Sequence, residues 1–429
     1  MATESGSRYT LDHLTDVSKE FIALVAVLGV VALVWLEALI HQLQYGLIAT
    51  DLAAQGTQGG VTWGLYIGTF EWFAGMAVGT LAVVGYLRYN EIDEYSTLAR
   101  IGTVWAFISG ISAALLIVVD LGTPWRVLYV LQRWPQSVLQ SPLAWDVTFV
   151  TTLLVFTLTM LVISLRLDFL KAESEFPLQT RLVERLVGLG ATREEIPKLE
   201  SMRKWLGLGV MVLAFTGGMV PGLLMGVVGG QPGFFGSEAG IVFLSAGLLS
   251  GVAMLTLLTG IPRLVYGWGE SLPDRMFITL GRTLTVFGFV FLVVLFNDIV
   301  PILTQMAPYF EQRIGESMIA GHLAPYFWAA ILLVGVPTLV LAVVQERLGV
   351  VGQMGAAALI LVGVWIKSIL TVIEPLMYPN LPIPTGTYSP TAVEWVLSLG
   401  MVAIAILLFS IAMKIIPLDD DPGTEVSTE

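Results

Sequence analysis

The chain contains 429 residues, of which 56% are hydrophobic and only 13% are charged, and its formal net charge is −12. This composition excludes an ordinary water-soluble protein, because apolar runs of about 20 residues, long enough to cross a bilayer as a helix, recur along the chain. Backbone groups in lipid must be paired internally, so we predict an all-α polytopic membrane protein surrounded by lipid. The sequence has no basic stripe of the kind that binds nucleic acid.

The residue types limit the metal chemistry that this chain can carry. Cysteine is absent, which excludes disulfides, thiolate metal sites and iron–sulfur ligation by cysteine in this chain. Of the three histidines, His13, His41 and His322, only His41 falls in a predicted span. A bis-histidine haem needs two facing imidazoles within the membrane, so we predict no haem and no iron–sulfur cluster here. If the protein handles electrons, the metal centres belong to a partner.

The hydropathy pattern predicts ten transmembrane helices, with a tight turn at Gly349 separating the eighth from the ninth. Of the 21 Lys and Arg residues, only Arg126, Arg133 and Arg313 fall in loops on the side opposite the termini. The positive-inside rule therefore predicts a multi-pass protein of the cell membrane with both termini in the cytoplasm. The predicted helices cover residues 21–44, 63–87, 101–120, 144–165, 205–228, 239–262, 280–302, 324–345, 351–375 and 391–413.

The predicted cytoplasmic loop 166–204 is the main segment outside the membrane. Its stretch from Leu178 to Leu189 has the spacing of a surface amphipathic helix, but a solvated charged linker fits the composition equally well.

Carboxylates within the predicted spans all lie toward one end of the membrane. Successive spans cross the membrane in opposite directions. An acid toward the end of an odd-numbered span and an acid toward the start of an even-numbered span therefore lie on the same outer side. Charge is costly in lipid, so each of these acids is a functional candidate. They are Glu37, Glu71, Asp120, Asp146, Asp298, Glu374 and Glu394.

The first span ends with Glu37 and His41, which lie four residues apart and share a helical face. Histidine titrates near neutral pH, so this pair could accept or release a proton at the outer margin. A polar helix end in the headgroup zone explains the same residues equally well.

The second span carries a glycine stripe at Gly64, Gly68, Gly75 and Gly79, with Glu71 in the middle of the same face. Small residues at this spacing let a neighbouring helix approach closely. Glu71 should therefore point into the protein rather than into lipid. A packing role is the alternative, but the cost of burying an acid favours a functional one.

The turn after the third span brings Asp120 and Arg126 close enough in sequence to pair. Asp146 lies about one turn inside the fourth span, near a helix N-terminus where the dipole favours a negative charge. Both aspartates flank one outer loop, so they could face each other.

In the ninth span, Lys367 needs a partner or an outward path for its ammonium group. The sequence offers Asp298 from the seventh span and Glu374 from the same face of the ninth. We interpret these residues as an ion pair rather than as catalytic groups.

Four motifs resemble those of the NrfD/PsrC-type family, the membrane subunits of polysulfide-reductase-like molybdenum–iron–sulfur complexes. They are WGLYIGTFEWFAGMAVG at 63–79, DLGTPWR at 120–126, SPLAWD at 141–146 and TGTYSPTAVEW at 385–395. The resemblance covers most of the chain, and the ten predicted spans are similar to the larger members of the family.

The resemblance implies two four-helix bundles, spans two to five and six to nine, with a peripheral helix at each end. The implied organisation is a cytoplasmic tail at 1–20, a peripheral helix and outer loop at 21–62, bundles at 63–228 and 229–375, and the tenth helix with an acidic cytoplasmic tail at 376–429.

The family resemblance also implies a quinol site in the first bundle near the outer face, with menaquinol as the expected quinol. By position, Glu71, Asp120, Arg126 and Asp146 would line or support this site, together with Trp63 and Tyr66 of the first motif. The chain departs from the family at Phe215, where many members have tyrosine, and it lacks the histidine that some members place near the quinone. His41 could substitute for that histidine.

The sequence thus favours a quinol-binding membrane anchor for anaerobic respiration, in which electrons pass to a docked partner. The implied partners are a ferredoxin-like iron–sulfur subunit and a molybdopterin catalytic subunit on the outer side. The candidate proton acceptors are Glu71, Asp146 and His41. Two alternatives stay open: a secondary transporter that uses its embedded charges, and a purely structural anchor.

Overall fold

The computed structural model describes residues 12–15, 17–52, 61–171, 177–188, 190, 192–227, 233–234, 238–304, 309–378 and 386–419. Within these ranges, nine helical segments are long and apolar enough to cross a membrane. The all-helical, multi-span class predicted from the sequence is confirmed. The helices are α1 Asp12–Thr15, α2 Lys19–Tyr45, α3 Leu65–Tyr89, α4 Ser96–Asp120, α5 Val127–Gln132, α6 Pro142–Lys171, α7 Leu178–Val187, α8 Ile196–Gly217, α9 Val220–Gly226, α10 Glu238–Val265, α11 Asp274–Ile299, α12 Tyr309–Ala320, α13 Ala324–Leu376 and α14 Ala392–Ile415.

Helix α13 has 53 residues but is not one continuous rod, because its backbone turns at Gly349. This glycine has φ 59° and ψ −174°, a conformation that side-chain-bearing residues rarely adopt. The two halves of α13 pack against each other: a Cβ added at Gly363 would lie 2.8 Å from the Val334 side chain and 2.9 Å from that of Leu333. The chain therefore reverses at Gly349, where the sequence predicted a tight turn.

The fifth predicted span is interrupted rather than continuous. Helix α8 ends at Gly217 and α9 begins at Val220, so Gly218 and Met219 separate them. Pro221 lies in the first turn of α9, where its missing N–H is tolerated because that position needs no intrahelical donor. The prediction of one continuous helix at 205–228 was therefore wrong, because the segment is divided at Gly218 and Met219.

Helix α3 lies at the centre of the molecule, in contact with α4, α8, α10 and α13. Of its glycine stripe, Gly75 and Gly79 pack on α10, whereas Gly68 packs on Ile369 of α13. A Cβ at Gly75 would lie 3.2 Å from the Cα of Gly247, and one at Gly251 would lie 2.5 Å from the Cα of Gly79. The backbones of α3 and α10 therefore touch, as the small-residue spacing predicted.

The remaining helices surround this centre. In the first half of the chain α4 contacts α6 and α6 contacts α8, and in the second half α10, α11 and α13 contact one another. Helices α2 and α14 pack together at the side of the molecule, and most of α2 is exposed.

Charged side chains tie several helices together at one end of the molecule, which we call the basic end. Arg100 donates two hydrogen bonds to Asp168, at 2.7 and 3.1 Å, and both side chains are largely buried. Lys171 pairs with Glu200 at 2.6 Å in a more exposed position. We call the opposite end, where α2 and α4 finish and α3 and α6 begin, the carboxylate end.

Candidate functional site

Glu71 lies buried in α3, with only 4% of its surface exposed, and it lines a cavity between the two halves of the chain. The cavity has a volume of about 60 Å³, which is space for a few water molecules. Its walls come from α9, α10, α11 and α13, and its other charged residues are Asp298 and Lys367. The prediction that Glu71 points into the protein is confirmed.

Lys367 brings a buried positive charge to this cavity from the second half of α13. Its side chain is 5% exposed, and its Nζ donates a hydrogen bond to Thr371 Oγ1 at 2.7 Å. The charge of Lys367 acts on both Glu71 and Glu374. The sequence pointed to Asp298 and Glu374 as partners of Lys367. It missed Glu71, because nothing in local spacing brings α3 next to α13.

Asp146 is buried about one turn inside the start of α6, at 2% exposure, and its charge also acts on Glu71. Among the described residues, its Oδ1 atom has no hydrogen-bond partner. The helix dipole stabilises a carboxylate in this position. A buried acceptor without a protein partner is a suitable place for a water or for a hydroxyl group of a ligand.

An aromatic wall lies beside the cavity. The rings of Trp63 and Phe234 stack with 6.5 Å between their centroids and 28° between their planes. Phe234 and Met225 line the cavity itself, and Leu143, from the first turn of α6, belongs to the same apolar cluster. The apolar cluster that contains this wall therefore joins Ile67 of α3 to Leu143 of α6.

Tyr66 and Asp120 belong to a second polar cluster at the carboxylate end. Tyr66 is fully buried and donates a hydrogen bond to Gln42 Oε1 at 2.6 Å, while Gln42 Nε2 donates to the Val119 carbonyl at 2.8 Å. The charges of Asp120 and Glu394 both act on Tyr66. The structure thus places Tyr66 and Gln42 beside the end of α4, where Asp120 is the last residue.

Glu394 is the centre of this second cluster and is completely buried. It forms a capping box with Thr391 at the start of α14, which agrees with its predicted place at a helix start. It also accepts hydrogen bonds from the Asp51 N–H at 3.0 Å and from Tyr388 Oη at 2.5 Å. Tyr388 Oη in turn accepts from the Leu65 N–H at 2.9 Å. Burial and the charge of Glu394 raise the pKa of the Tyr388 phenol well above its ordinary value.

Three residues singled out by the sequence lie on the surface. Glu37 and His41 are exposed on α2, and the His41 ring contacts that of Tyr45, with 4.7 Å between centroids. The neighbouring Gln42 is the residue that faces inward. Arg126 is also exposed, and within the described residues no ion pair joins it to Asp120. The Asp120–Arg126 pair suggested by the sequence does not form.

No group of three His, Asp or Glu side chains in the described part of the chain could hold a metal ion. The described site consists instead of buried carboxylates, one lysine and an aromatic wall.

Comparison with known proteins connects this arrangement to one family. The family model described as "Polysulphide reductase, NrfD" matches residues 53–379. A selenate reductase subunit of Mesobacillus selenatarsenatis is 24% identical over 414 residues, covering 91% of this chain and 93% of that protein. The integral membrane subunit of menaquinone reductase from Nitratidesulfovibrio vulgaris is 25% identical over 392 residues, covering 87% of each.

Proposed function

Because this chain belongs to the NrfD polysulphide reductase family, we propose that it is the membrane anchor of a respiratory oxidoreductase complex and binds quinol near the carboxylate end. The observation that carries the proposal is the buried cavity that Glu71 shares with Lys367, beside an aromatic wall. The relative named as a menaquinone reductase subunit supports menaquinol as the quinol.

The residues present suit such a ligand. The cavity has room for water but not for a ring, so we place the quinol ring at the Trp63–Phe234 wall and assign the cavity to proton transfer. The unpartnered Oδ1 of Asp146 can accept a hydrogen bond from a hydroxyl group. Residues 228–232 and 235–237, on both sides of Phe234, lie outside the described residues.

A quinol supplies two electrons and two protons. Its oxidation therefore needs one group that accepts the electrons and another that accepts the protons. Several buried carboxylates surround a single buried lysine, and burying more than one net charge is costly. Lys367 therefore lowers the cost of ionising a carboxylate in the cavity, and we assign the role of proton acceptor to Glu71. Asp146 is the second candidate acceptor. His41 is exposed on α2, so we assign it no part in the reaction.

The electrons must leave this chain, because it has no cysteine to hold an iron–sulfur cluster. We propose that they pass to a ferredoxin-like iron–sulfur subunit docked at the carboxylate end, and from there to a molybdopterin catalytic subunit. The distribution of Lys and Arg supports cytoplasmic termini, so the carboxylate end would face outward.

We also propose ten transmembrane helices in two four-helix bundles, with a peripheral helix at each end. The reversal of α13 at Gly349 supports the count, since it divides a helix of 53 residues into two halves that each match one span. The packing of α3, α4, α6 and α8 and the contacts among α10, α11 and α13 support the bundles.

Replacement of Glu71 by glutamine tests the proposed proton acceptor. Glu71→Gln keeps the size of the side chain but cannot accept a proton, so quinol-driven activity of the intact complex should fall by about 10²-fold or more while the complex still assembles. Glu346→Gln, at an exposed position near the Gly349 turn, is the control and should be fully active. Full activity of Glu71→Gln in an assembled complex would refute the assignment.

A secondary transporter is the second candidate, because the interrupted α8–α9 segment contributes Gly222 and Met225 to a cavity that contains a buried lysine. Transporter sites often combine broken helices with buried charges between two repeats. Purification from native membranes separates the two classes. An iron–sulfur subunit that copurifies supports an anchor, whereas a chain purified alone that moves solute or protons across proteoliposomes supports transport. Binding of a quinone analogue then distinguishes a quinol site from a purely structural anchor.

A further inference from the structure

Helix α7 lies outside the membrane spans at the basic end and packs on the ends of two of them. Its Val183 and Val187 side chains contact a small cluster that contains Leu165 and Phe169 of α6. Gln179 Nε2 on α7 donates a hydrogen bond to the Leu14 carbonyl at 2.8 Å. One face of α7 is therefore fixed to the protein. The segment 178–187 is a helix rather than a linker.

The opposite face of α7 is apolar and exposed. Leu178, Leu182 and Leu186 are 83%, 63% and 68% exposed, and they are spaced four residues apart. At 3.6 residues per turn they form one continuous stripe along the helix. Leucines in such a stripe are typical of helices that lie in the surface of a bilayer.

Arginines border this leucine stripe and line a cleft of about 500 Å³ between α7 and α6. The cleft is lined by Arg181, Arg185 and Arg166, with Glu184 as its acidic residue. Arg166 also pairs with Glu195 at 3.4 Å. Among the described lining residues three are arginines and one is acidic, so this part of the lining complements an anionic group rather than a neutral one.

The depth of the cleft agrees with the level of lipid headgroups. Lys171 of α6 pairs with Glu200 of the antiparallel α8, and about 7.5 Å further along both helices are Arg166 and Trp205. Trp205 is 60% exposed and its ring contacts Tyr89, with 6.1 Å between centroids. Exposed Trp and Tyr rings at helix ends mark the membrane–water interface, so Arg166 lies at that level.

We propose that α7 and the end of α6 form a binding site for an anionic phospholipid, with the headgroup phosphate in the arginine cleft and the leucine stripe against the acyl chains. Arginine binds phosphate oxygens through its planar set of N–H donors, and the cleft presents three such side chains. The leucines would contribute apolar burial that a free phosphate ion cannot provide. This site is separate from the proposed quinol site, which lies at the other end of the molecule.

The test is native mass spectrometry of the purified full chain, titrated with phosphatidylglycerol or phosphatidylcholine. We expect retained phosphatidylglycerol to exceed phosphatidylcholine, and Arg181→Gln/Arg185→Gln to reduce that preference on the order of tenfold. Arg282→Gln/Arg347→Gln removes two exposed arginines elsewhere on the surface and should leave the preference unchanged. Leu182→Ser, at an exposed position, should weaken retention without affecting folding.

Three outcomes would overturn the proposal. One is equal retention of the two lipids, and another is an equal loss of preference in both arginine pairs. The third is displacement of phosphatidylglycerol by millimolar inorganic phosphate together with full retention in Leu182→Ser, which would identify a site for free phosphate.

Discussion

The contact between α3 and α10 positions Glu71 opposite the second half of the chain, and its glycines allow a graded test. A Cβ at Gly79 would overlap the carbonyl oxygen of Gly247 and would lie 3.0 Å from the Cα of Gly251. Both obstacles are backbone atoms, so the two helices would have to move apart. At Gly75 the nearest atom, the Cα of Gly247, is 3.2 Å away, and a shift of a few tenths of an ångström is sufficient.

Gly29 on the exposed helix α2 has nothing within 4 Å of an added Cβ, which makes Gly29→Ala the matched control. There, alanine should raise the free energy of unfolding by about 0.5–1 kcal/mol, because glycine is a poorer helix former. At Gly79 an overpacking cost of about 1–3 kcal/mol works against the same gain, so a net loss of up to about 2.5 kcal/mol is expected. Gly75→Ala should fall between these two variants.

The assay is unfolding by sodium dodecyl sulfate of the detergent-solubilised protein, followed by circular dichroism. The order of stability should be Gly29→Ala, then Gly75→Ala, then Gly79→Ala. In the assembled complex, Gly79→Ala should also reduce quinol-driven activity, because separation of α3 from α10 moves Glu71 relative to Lys367. Equal stability of the three variants would refute the close backbone contact and, with it, the placement of Glu71 opposite Lys367.

Three further changes test other parts of the structure. Glu394→Gln should lower the free energy of unfolding by about 2–3 kcal/mol in the same assay, because a buried acceptor of charge-assisted hydrogen bonds is lost. An unchanged free energy of unfolding would contradict the central role of Glu394 in the second polar cluster. Lys367→Met should abolish quinol oxidation in an assembled complex, whereas Lys367→Arg should retain part of it, because the positive charge rather than the shape of the side chain would lower the cost of a negative charge on Glu71. Activity of the Met variant would argue against this role. His41→Gln should leave activity unchanged, and a large loss would make His41 a candidate proton acceptor again.

The sequence was sufficient to predict features that depend on local pattern and on the cost of burying charge. The glycine stripe predicted that a helix would pack closely on α3 and that Glu71 would be buried, and both are confirmed. Gly349 predicted the reversal in α13, because few other residues adopt a positive φ. Glu394 was predicted near the start of a helix, and the structure places it in the first turn of α14.

Features that depend on which helices meet could not be predicted from one sequence. The stripe on α3 does not identify α10 as its neighbour, so Lys367 was matched with acids of its own half rather than with Glu71. The sequence indicates the ionisable His41 as the functional residue at the end of the first span. In the structure the uncharged Gln42 faces inward instead and accepts a hydrogen bond from Tyr66. Asp120 and Asp146 flank one loop, yet Asp120 lies next to Val119, which is joined to Gln42 and Tyr66 from other helices, and no hydrogen bond among the described residues links the two aspartates.

The most direct measurement of the central claim is photolabelling of the purified chain with an azido-menaquinol analogue, followed by peptide mapping. Quinol binding at the aromatic wall predicts labelled peptides that contain Trp63 and the segment from Met225 to Phe234. Excess unlabelled menaquinol should suppress this labelling, and Gly29→Ala should label like the wild type. Labelling confined to other parts of the chain, or labelling that menaquinol does not suppress, would contradict a quinol site beside Glu71.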